Sequence, residues 1–472
     1  MVASIEKAPV TVLLGAQWGD EGKGKIIDYL ISKNKVQVTA RCQGGNNAGH
    51  TVVANGHKYD FHLLPSGIIA ENCFNIVGNG VVVNLDSFFS ELEHNKILEL
   101  PGWEKRIMIS EHAHIVFGVH MQVDGRQEDA RESKIGTTNR GIGPAYSSKC
   151  FRNGIRISDL LGNFDKFSSN KIGTTNRGIG PAYSSKCFRN GIRISDLLGN
   201  FDKFSSKYRH LVEYYRKQFP SINVDVDGEL ATFKKHAEKL KELNIVGDTV
   251  SRLDEMRSQG KTVLVEGANG AMLDIDFGTY PYVTSSNATV GGAVTGLGMP
   301  PTAIKEVVGV VKAYLTRVGA GPFPTELKDA IGDKLQSVGR ELVQVGVTTG
   351  RKRRCGWIDL FLLKRSNIIN GFTGLALTKL DILDSFDEVK AAVGYKLDGH
   401  TLTSPPSRAE DWEQVEVEYR TFSGWKTSTS NVRKFEDLPQ NCRDYVSFIE
   451  QFVGVPIKWI GVGEERESLI VR

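Results

Sequence analysis

The chain has 472 residues, 40% of them apolar, and a formal net charge of +4 at pH 7. That is ample material for a large core, too little charge to bind nucleic acid through a global field, and no run long enough to cross a membrane. Six unevenly spaced cysteines, and an early apolar stretch (residues 10–16) too short for a secretory signal, lead to the expectation of reduced thiols and a cytoplasmic location.

The first predicted element is a strand over residues 11–14, followed by Gly15-Ala16-Gln17-Trp18-Gly19-Asp20-Glu21-Gly22-Lys23-Gly24-Lys25 and a helix-like run from 26 to 31. Strand, glycine turn and helix N-terminus together offer backbone N–H groups and a helix dipole to an anion. Gly19 to Lys25 fits the spacing G-x-x-x-x-G-K, yet Ile26 stands where a nucleotide-binding loop usually has a Ser or Thr hydroxyl for Mg²⁺. Asp20 is the candidate to hold the metal instead, and a carboxylate so near a transferred phosphate can also take a proton from a nucleophile.

A second strand, 36–40, runs towards Gln43-Gly44-Gly45-Asn46-Asn47-Ala48-Gly49-His50-Thr51. Ligands of open parallel sheets bind at such strand ends. Asn47 and His50, three apart, suit a single ligand, and His50 is a candidate general acid or donor to a phosphate oxygen. Strands follow at 75–77 and 106–110. Residues 134–169 then recur unchanged as 171–206, an offset of 37. Solenoid repeats drift in sequence and come in larger numbers, so two identical segments compete here for one sheet-end loop. Continuity with the preceding residues favours the first copy, and the other is expected as an extruded surface loop.

Helices are predicted at 207–218 and 230–243, and strands at 262–266 and 305–311. The cations Arg351 to Arg354 can be read as a nucleic-acid or localisation patch; beside Thr348, Thr349, Gly350 and Gly356 they read better as a mobile loop that wraps small anions. A strand at 374–377 ends in Thr378-Lys379-Leu380-Asp381. A carboxylate there can accept from N1–H and the exocyclic amine of guanine while the lysine stem lies along the purine plane; adenine lacks that donor pair. Residues 389–397, Asp398-Gly399 and 400–403 read as a β-hairpin. The order implies an α/β fold, with a mainly parallel central sheet covered by helices on both faces, P-loop NTPase-like, and a small peripheral β-hairpin region near the C-terminus. It is expected to be one domain, with 134–170 or 171–207 as a surplus insert.

The ordered motifs also include Arg140-Gly141-Ile142-Gly143-Pro144-Ala145-Tyr146, Asp274-Ile275-Asp276-Phe277-Gly278-Thr279-Tyr280-Pro281, Val283-Thr284-Ser285-Ser286-Asn287 and Gly319-Ala320-Gly321-Pro322-Phe323-Pro324-Thr325-Glu326. Over nearly its whole length the chain resembles the adenylosuccinate synthetase family. The resemblance implies a ligase that joins L-aspartate to inosine monophosphate (IMP) with GTP, through a 6-phosphoryl-IMP intermediate, in purine biosynthesis. It implies catalysis by Asp20 and His50. For GTP it implies Gly19, Glu21, Gly22, Lys23, Gly24, Lys25, Gly49, Thr51, Arg353, Lys379, Leu380, Asp381, Gly461, Val462 and Gly463.

For IMP the resemblance implies Asp20, Lys23, Asn47, His50, Thr138, Arg152, Asn269, Thr284 and Arg351, with Thr175 and Arg189 as stand-ins from the second copy. Aspartate would be met by Val347, Thr348, Thr349, Gly350, Arg351 and Arg353, and Mg²⁺ by Asp20 and the carbonyl of Gly49. A homodimer is implied, with Arg152 reaching the partner's site, and neither nucleic acid nor membrane is expected as a partner. Two rival readings stand beside it: a GTP-binding regulatory module, and a synthetase-like chain inactivated by the duplication.

Overall fold

The computed structural model describes residues 7–33, 36–47, 49–54, 57–126, 150–151, 177–339 and 353–472. Its organising strand is Val10–Gly15, which pairs in parallel with Val263–Gly270 on one side and Ile304–Lys312 on the other. Val10, Val12 and Leu14 face one core while Leu13 faces another, as the alternation of a strand requires. A strand apolar on both faces belongs in the middle of a covered sheet.

Among the described residues the sheet has ten strands. From one edge they run Leu469–Val471, Ile457–Gly461, Gly374–Thr378, Ile304–Lys312, Val10–Gly15, Val263–Gly270, Val38–Arg41, Phe74–Val77, Ile107–Ser110 and Val246–Gly247. Every neighbouring pair is parallel except the first, which is antiparallel. All the strands expected for the sheet are in it, and the α/β class is as expected. The helix Lys23–Lys33 buries Ile26, Ile27 and Leu30 against Leu13, Leu264 and Val308, so the phosphate-loop helix is pinned to the centre of the sheet.

The hairpin near the C-terminus joins Glu388–Leu397 to His400–Thr401 through Asp398 (φ 51°) and Gly399 (φ 77°), the positive φ pair that a tight two-residue turn needs. Its longer partner, Glu416–Ser423, was not anticipated, because its sequence mixes charged and apolar residues and most of it stays at the surface.

The duplicated segment is described mainly in its second copy. Ile179–Phe188, Ile194–Leu198 and the start of Phe201–Gln218 bury Ile179, Tyr183, Ile194, Leu197 and Phe204, and Ile192 is buried in the connection between the first two. The long helix begins inside the repeat, where the Asn200 side chain accepts from Lys203 N–H at 2.9 Å, so it is longer than its predicted 207–218. In the first copy only Cys150 and Phe151 are described. Both are buried, and Cys150 Sγ lies 3.8 Å from Sγ of Cys187, its own counterpart in the repeat. At these two residues the first copy is not an exposed loop. All six cysteines are free thiols, and among the described residues no helix is long and apolar enough to cross a membrane.

Candidate functional site

The phosphate loop leaves Gly15 and turns through Gly19 (φ 85°), Asp20 (φ 58°) and Gly22 (φ 83°) before entering the helix at Lys23. Its scaffold is Glu21, which is fully buried and accepts from the N–H groups of Gln17 (3.1 Å) and Gly19 (2.9 Å) and from Lys23 Nζ (2.9 Å). Lys23 also donates to the carbonyl of Asn269 at 2.6 Å. No side chain fits at Gly15, where a Cβ would lie 2.4 Å from Glu21 Oε2. Trp18 braces the outer side of the loop, donating to Thr279 Oγ1 at 3.3 Å beneath the Arg317 guanidinium.

Asp20, at left-handed φ inside this turn, receives Arg353 Nε at 2.6 Å. Arg353 heads the strand Arg353–Gly356, which pairs with Leu315–Val318 and holds this one arginine of the cationic run against the phosphate loop.

His50 begins the strand His50–Ala54 and is buried. Its Nδ1 lies 3.3 Å from Glu266 Oε2, while Nε2 is buried with no partner among the described residues. Desolvation pushes its pKa down to about 4 despite the Glu266 hydrogen bond, so the ring is neutral near pH 7. Asn47 Nδ2 donates to Thr284 Oγ1 at 3.4 Å, and its Oδ1 receives Gly45 N–H at 3.1 Å. Asn269 (φ 62°) holds a buried Oδ1 without a partner among the described residues. Gly49 and Thr51 are exposed, the latter bonded to Asp60 at 2.7 Å.

Beyond the next strand ends, Thr378 Oγ1 donates to the carbonyl of Glu21 at 2.6 Å, tying the candidate guanine site to the phosphate loop. Lys379 (φ 57°) turns the chain, Leu380 is buried, and Asp381 presents a buried Oδ1 with no partner among the described residues. Burial raises the Asp381 carboxyl pKa, against the pull of Lys25 and Lys379. Lys25 bridges to the carbonyls of Gly463 and Ser468, both at 2.7 Å; burial lowers its pKa to about 8. Gly461 and Val462 continue that strand end, with Gly461 against the backbone of Thr378 and Lys379.

Asp20, His50, Asn47, Asn269, Thr284, Arg353 and Asp381 therefore gather along the carboxyl ends of the central strands, the crevice where open parallel sheets bind ligands. Thr138, Arg152, Thr175, Val347, Thr348, Thr349, Gly350 and Arg351 lie outside the described residues. Arg189, of the second copy, is exposed at the end of its helix with φ 63°.

Sequence reasoning favoured the first copy, yet the described second copy stands beside the Asn47 loop. There Tyr183 Oη receives Gly44 N–H at 3.0 Å and donates to the Gly80 carbonyl at 2.6 Å, and Arg177 donates to the carbonyl of Asn46 at 2.7 Å. Reasoning from motifs also missed Glu266, on a strand distant in sequence, and Ser66 and Arg41, on a short helical turn and a strand end nearer in the chain, which lie around His50. The one signal available was a glutamate at the end of an otherwise apolar strand.

The family model for adenylosuccinate synthetase matches residues 12–170 and again 162–470. The chain belongs to the adenylosuccinate synthetase family. Adenylosuccinate synthetases from Caenorhabditis briggsae (68% identical, 98% of each chain) and Brugia malayi (65%, 100% of each) are among its relatives. The fully ligated adenylosuccinate synthetase of Plasmodium falciparum superposes with a TM-score of 0.84 at 40% identity, over 98% of this chain and all of that one. A cyanophage S-2L succinoaminodeoxyadenylate synthetase, described with dGMP and with dATP as energy donor, shares the fold at 16% identity and TM-score 0.56. The two adenylosuccinate synthetase matches overlap only within the first copy, the first running to its end and the second continuing through the other copy, so each copy extends one flank of the family pattern.

Proposed function

We propose that this chain ligates L-aspartate to IMP at the expense of GTP, giving adenylosuccinate, GDP and phosphate by way of 6-phosphoryl-IMP, the first committed step from IMP to AMP. In a member of this family, the observation that carries the reading is a carboxylate inside the phosphate loop, Asp20, sharing one crevice with a partnerless buried carboxylate oxygen on Asp381. That oxygen suits the paired donors of guanine. An adenine would leave it unpaired, and a buried polar group left unpaired is what a binding site rejects.

Oxygen O6 of IMP is a poor leaving group and must be phosphorylated first. Asp20 takes the N1 proton, charge moves to O6, and O6 attacks the γ-phosphorus as the bond to GDP breaks. His50 aims Nε2 at the transferring phosphoryl. Donation from that atom needs a second ring proton, which the negative phosphates favour and the Glu266 carboxylate balances. The aspartate amine then adds at C6, and phosphate leaves with O6. Asn47, Asn269 and Thr284 hold IMP, with Lys23 and the loop N–H groups beside the phosphates. Arg351 and its neighbours 347–350 meet aspartate, since a guanidinium fork matches a carboxylate, and Arg353 moves from Asp20 to the GTP phosphates.

The donors on offer suit Mg²⁺, because the Asp20 carboxylate and the Gly49 carbonyl are hard oxygens. No cluster of three or more His, Cys, Asp or Glu side chains among the described residues could hold a metal by itself, so phosphate oxygens would complete the set. Such an ion would neutralise charge on the phosphates. For the duplicated segment, the contacts of Arg177 and Tyr183 support Thr175 and Arg189 rather than Thr138 and Arg152, with exposed Arg189 offered to a partner subunit of a homodimer. A cytoplasmic location fits the reduced thiols.

The test is Asp20→Asn. An amide can neither take the N1 proton nor meet a metal with full charge, so aspartate-dependent phosphate release should vanish. A variant that keeps more than about a tenth of the wild-type rate refutes the base assignment.

A further inference from the structure

Glu266 is fully buried midway along Val263–Gly270, in parallel register between Leu13 and Arg41, in a sheet whose other interior strand positions are mostly apolar. Burying a carboxylate costs free energy unless its oxygens are satisfied, so its partners show what holds it there. Oε1 accepts the N–H of Ser66 at 2.8 Å, and Oε2 accepts the Ser66 hydroxyl at 2.8 Å and faces His50 Nδ1 at 3.3 Å. Arg41, its register neighbour, is 1% exposed, with Nε and Nη1 lacking hydrogen-bond partners, and supplies positive potential along the same face. Among the described residues, every hydrogen bond of the Glu266 carboxylate thus goes to Ser66 or to the histidine.

We propose that Glu266 is a positioning residue, whose carboxylate fixes the rotation of the His50 ring and keeps a proton on Nδ1, so that Nε2 alone is presented to the reacting phosphates. A carboxylate can only accept, so the nitrogen facing it must donate. His50 Nε2 is buried, partnerless and on the opposite side of the ring, the geometry this orientation requires. Nothing local would hold the ring. His50 opens a two-stranded hairpin outside the main sheet, and no other side-chain hydrogen bond to it is found among the described residues. The assignment rests on the role of His50 proposed above.

Glu266→Gln tests it with almost no change in volume. The Ser66 N–H can only donate, so the amide oxygen stays with it and the NH₂ group turns towards Nδ1, which must then accept. The ring proton is expected to move to Nε2; with Nδ1 accepting and the balancing carboxylate gone, the ring stays neutral and is a weaker donor than the doubly protonated ring that the reacting phosphates call for, so kcat should fall about 10- to 100-fold while KM for IMP, GTP and aspartate stays within about twofold. Magic-angle-spinning ¹⁵N spectra of histidine-labelled enzyme, with the His50 signals assigned from their loss in His50→Asn, report the tautomer directly. Ser66→Ala is the control, since it removes a hydrogen bond to the same carboxylate but leaves the Nδ1 contact; the Nδ1–H tautomer and a kcat within about threefold of wild type are expected.

If Glu266→Gln fails to fold, the reading passes to Glu266→Asp, whose shorter arm cannot reach both Ser66 and His50, and the Nδ1–H fraction should drop. Wild-type kcat or an unchanged tautomer in Glu266→Gln overturns the inference, as does an unchanged tautomer in a folded Glu266→Asp. If instead His50→Asn itself keeps full activity, the catalytic reading of His50 fails, and the two failures are told apart.

Discussion

Gly24 sits where the phosphate-loop helix passes the strand carrying His50. A Cβ built there would lie 2.2 Å from the carbonyl oxygen of Thr51 and 3.0 Å from its carbonyl carbon. Reaching ordinary contact near 3.4 Å requires a separation of about 1 Å, and backbone cannot rotate away as a side chain would. The helix is held by Ile26, Ile27 and Leu30 in the core, whereas His50–Ala54 belongs to a two-stranded hairpin outside the main sheet. The hairpin should therefore give way, carrying His50 with it. A displacement of this size at reacting groups costs on the order of 100-fold in rate, while local overpacking costs about 1–3 kcal/mol of stability. Gly24→Ala is thus expected to lower kcat/KM for aspartate-dependent phosphate release about 100-fold while the Tm falls by only a few degrees. Gly371→Ala, at a helix end with φ 60° and nothing within 4 Å of the added methyl, should do the reverse, losing about 1 kcal/mol of stability at wild-type activity. A Gly24→Ala enzyme within threefold of wild type would show that the helix and hairpin need not touch for turnover.

Asp381→Asn should erode base choice: with GTP and ATP assayed side by side, a preference of roughly 10⁴ in kcat/KM should shrink at least about 100-fold, and equal use of ATP and GTP by the unmutated enzyme would sink the guanine assignment. Deleting residues 134–170 joins Ser133 to Lys171 and leaves the described core of the second copy intact. The shorter chain should melt no lower and turn over no more slowly, so a full-length form that alone is active would make the first copy a functional insertion. Asp359 is fully buried, where desolvation raises its carboxyl to about 6 even though it accepts hydrogen bonds from Tyr395 and from Leu362 N–H. Between about pH 4 and 6 the folded state holds a proton that the unfolded state has lost, so this group's contribution to stability falls as pH rises, by about 3 kcal/mol in all. The Tm of Asp359→Asn relative to wild type should therefore climb from pH 4 to 6 and then level off, and a difference independent of pH would contradict it.

Contiguous signals were legible in the sequence because their physics is local. The phosphate loop is one unbroken strand, glycine turn and helix start, and its left-handed positions at Gly19 and Gly22 fall on residues that tolerate them. The same holds for Asp398-Gly399, whose positive φ values make the hairpin, and for the apolar runs that became buried parallel strands. The strand Glu416–Ser423 escaped notice because an exposed edge imposes little apolar alternation.

Tertiary structure alone decided what meets what. Val10–Gly15 lies between strands that begin at Val263 and Ile304, an order set by burial of both faces rather than by chain succession. Glu266 reaches His50 across 216 positions and Arg353 reaches Asp20 across 333, contacts with no local periodicity to announce them. The duplication marks the limit most sharply. Two identical segments carry the same propensities, so composition and pattern cannot rank them. The described second copy seats Tyr183 on Gly44 and Gly80 and leads straight into the long helix Phe201–Gln218, because chain connectivity and core packing distinguish what sequence makes equal.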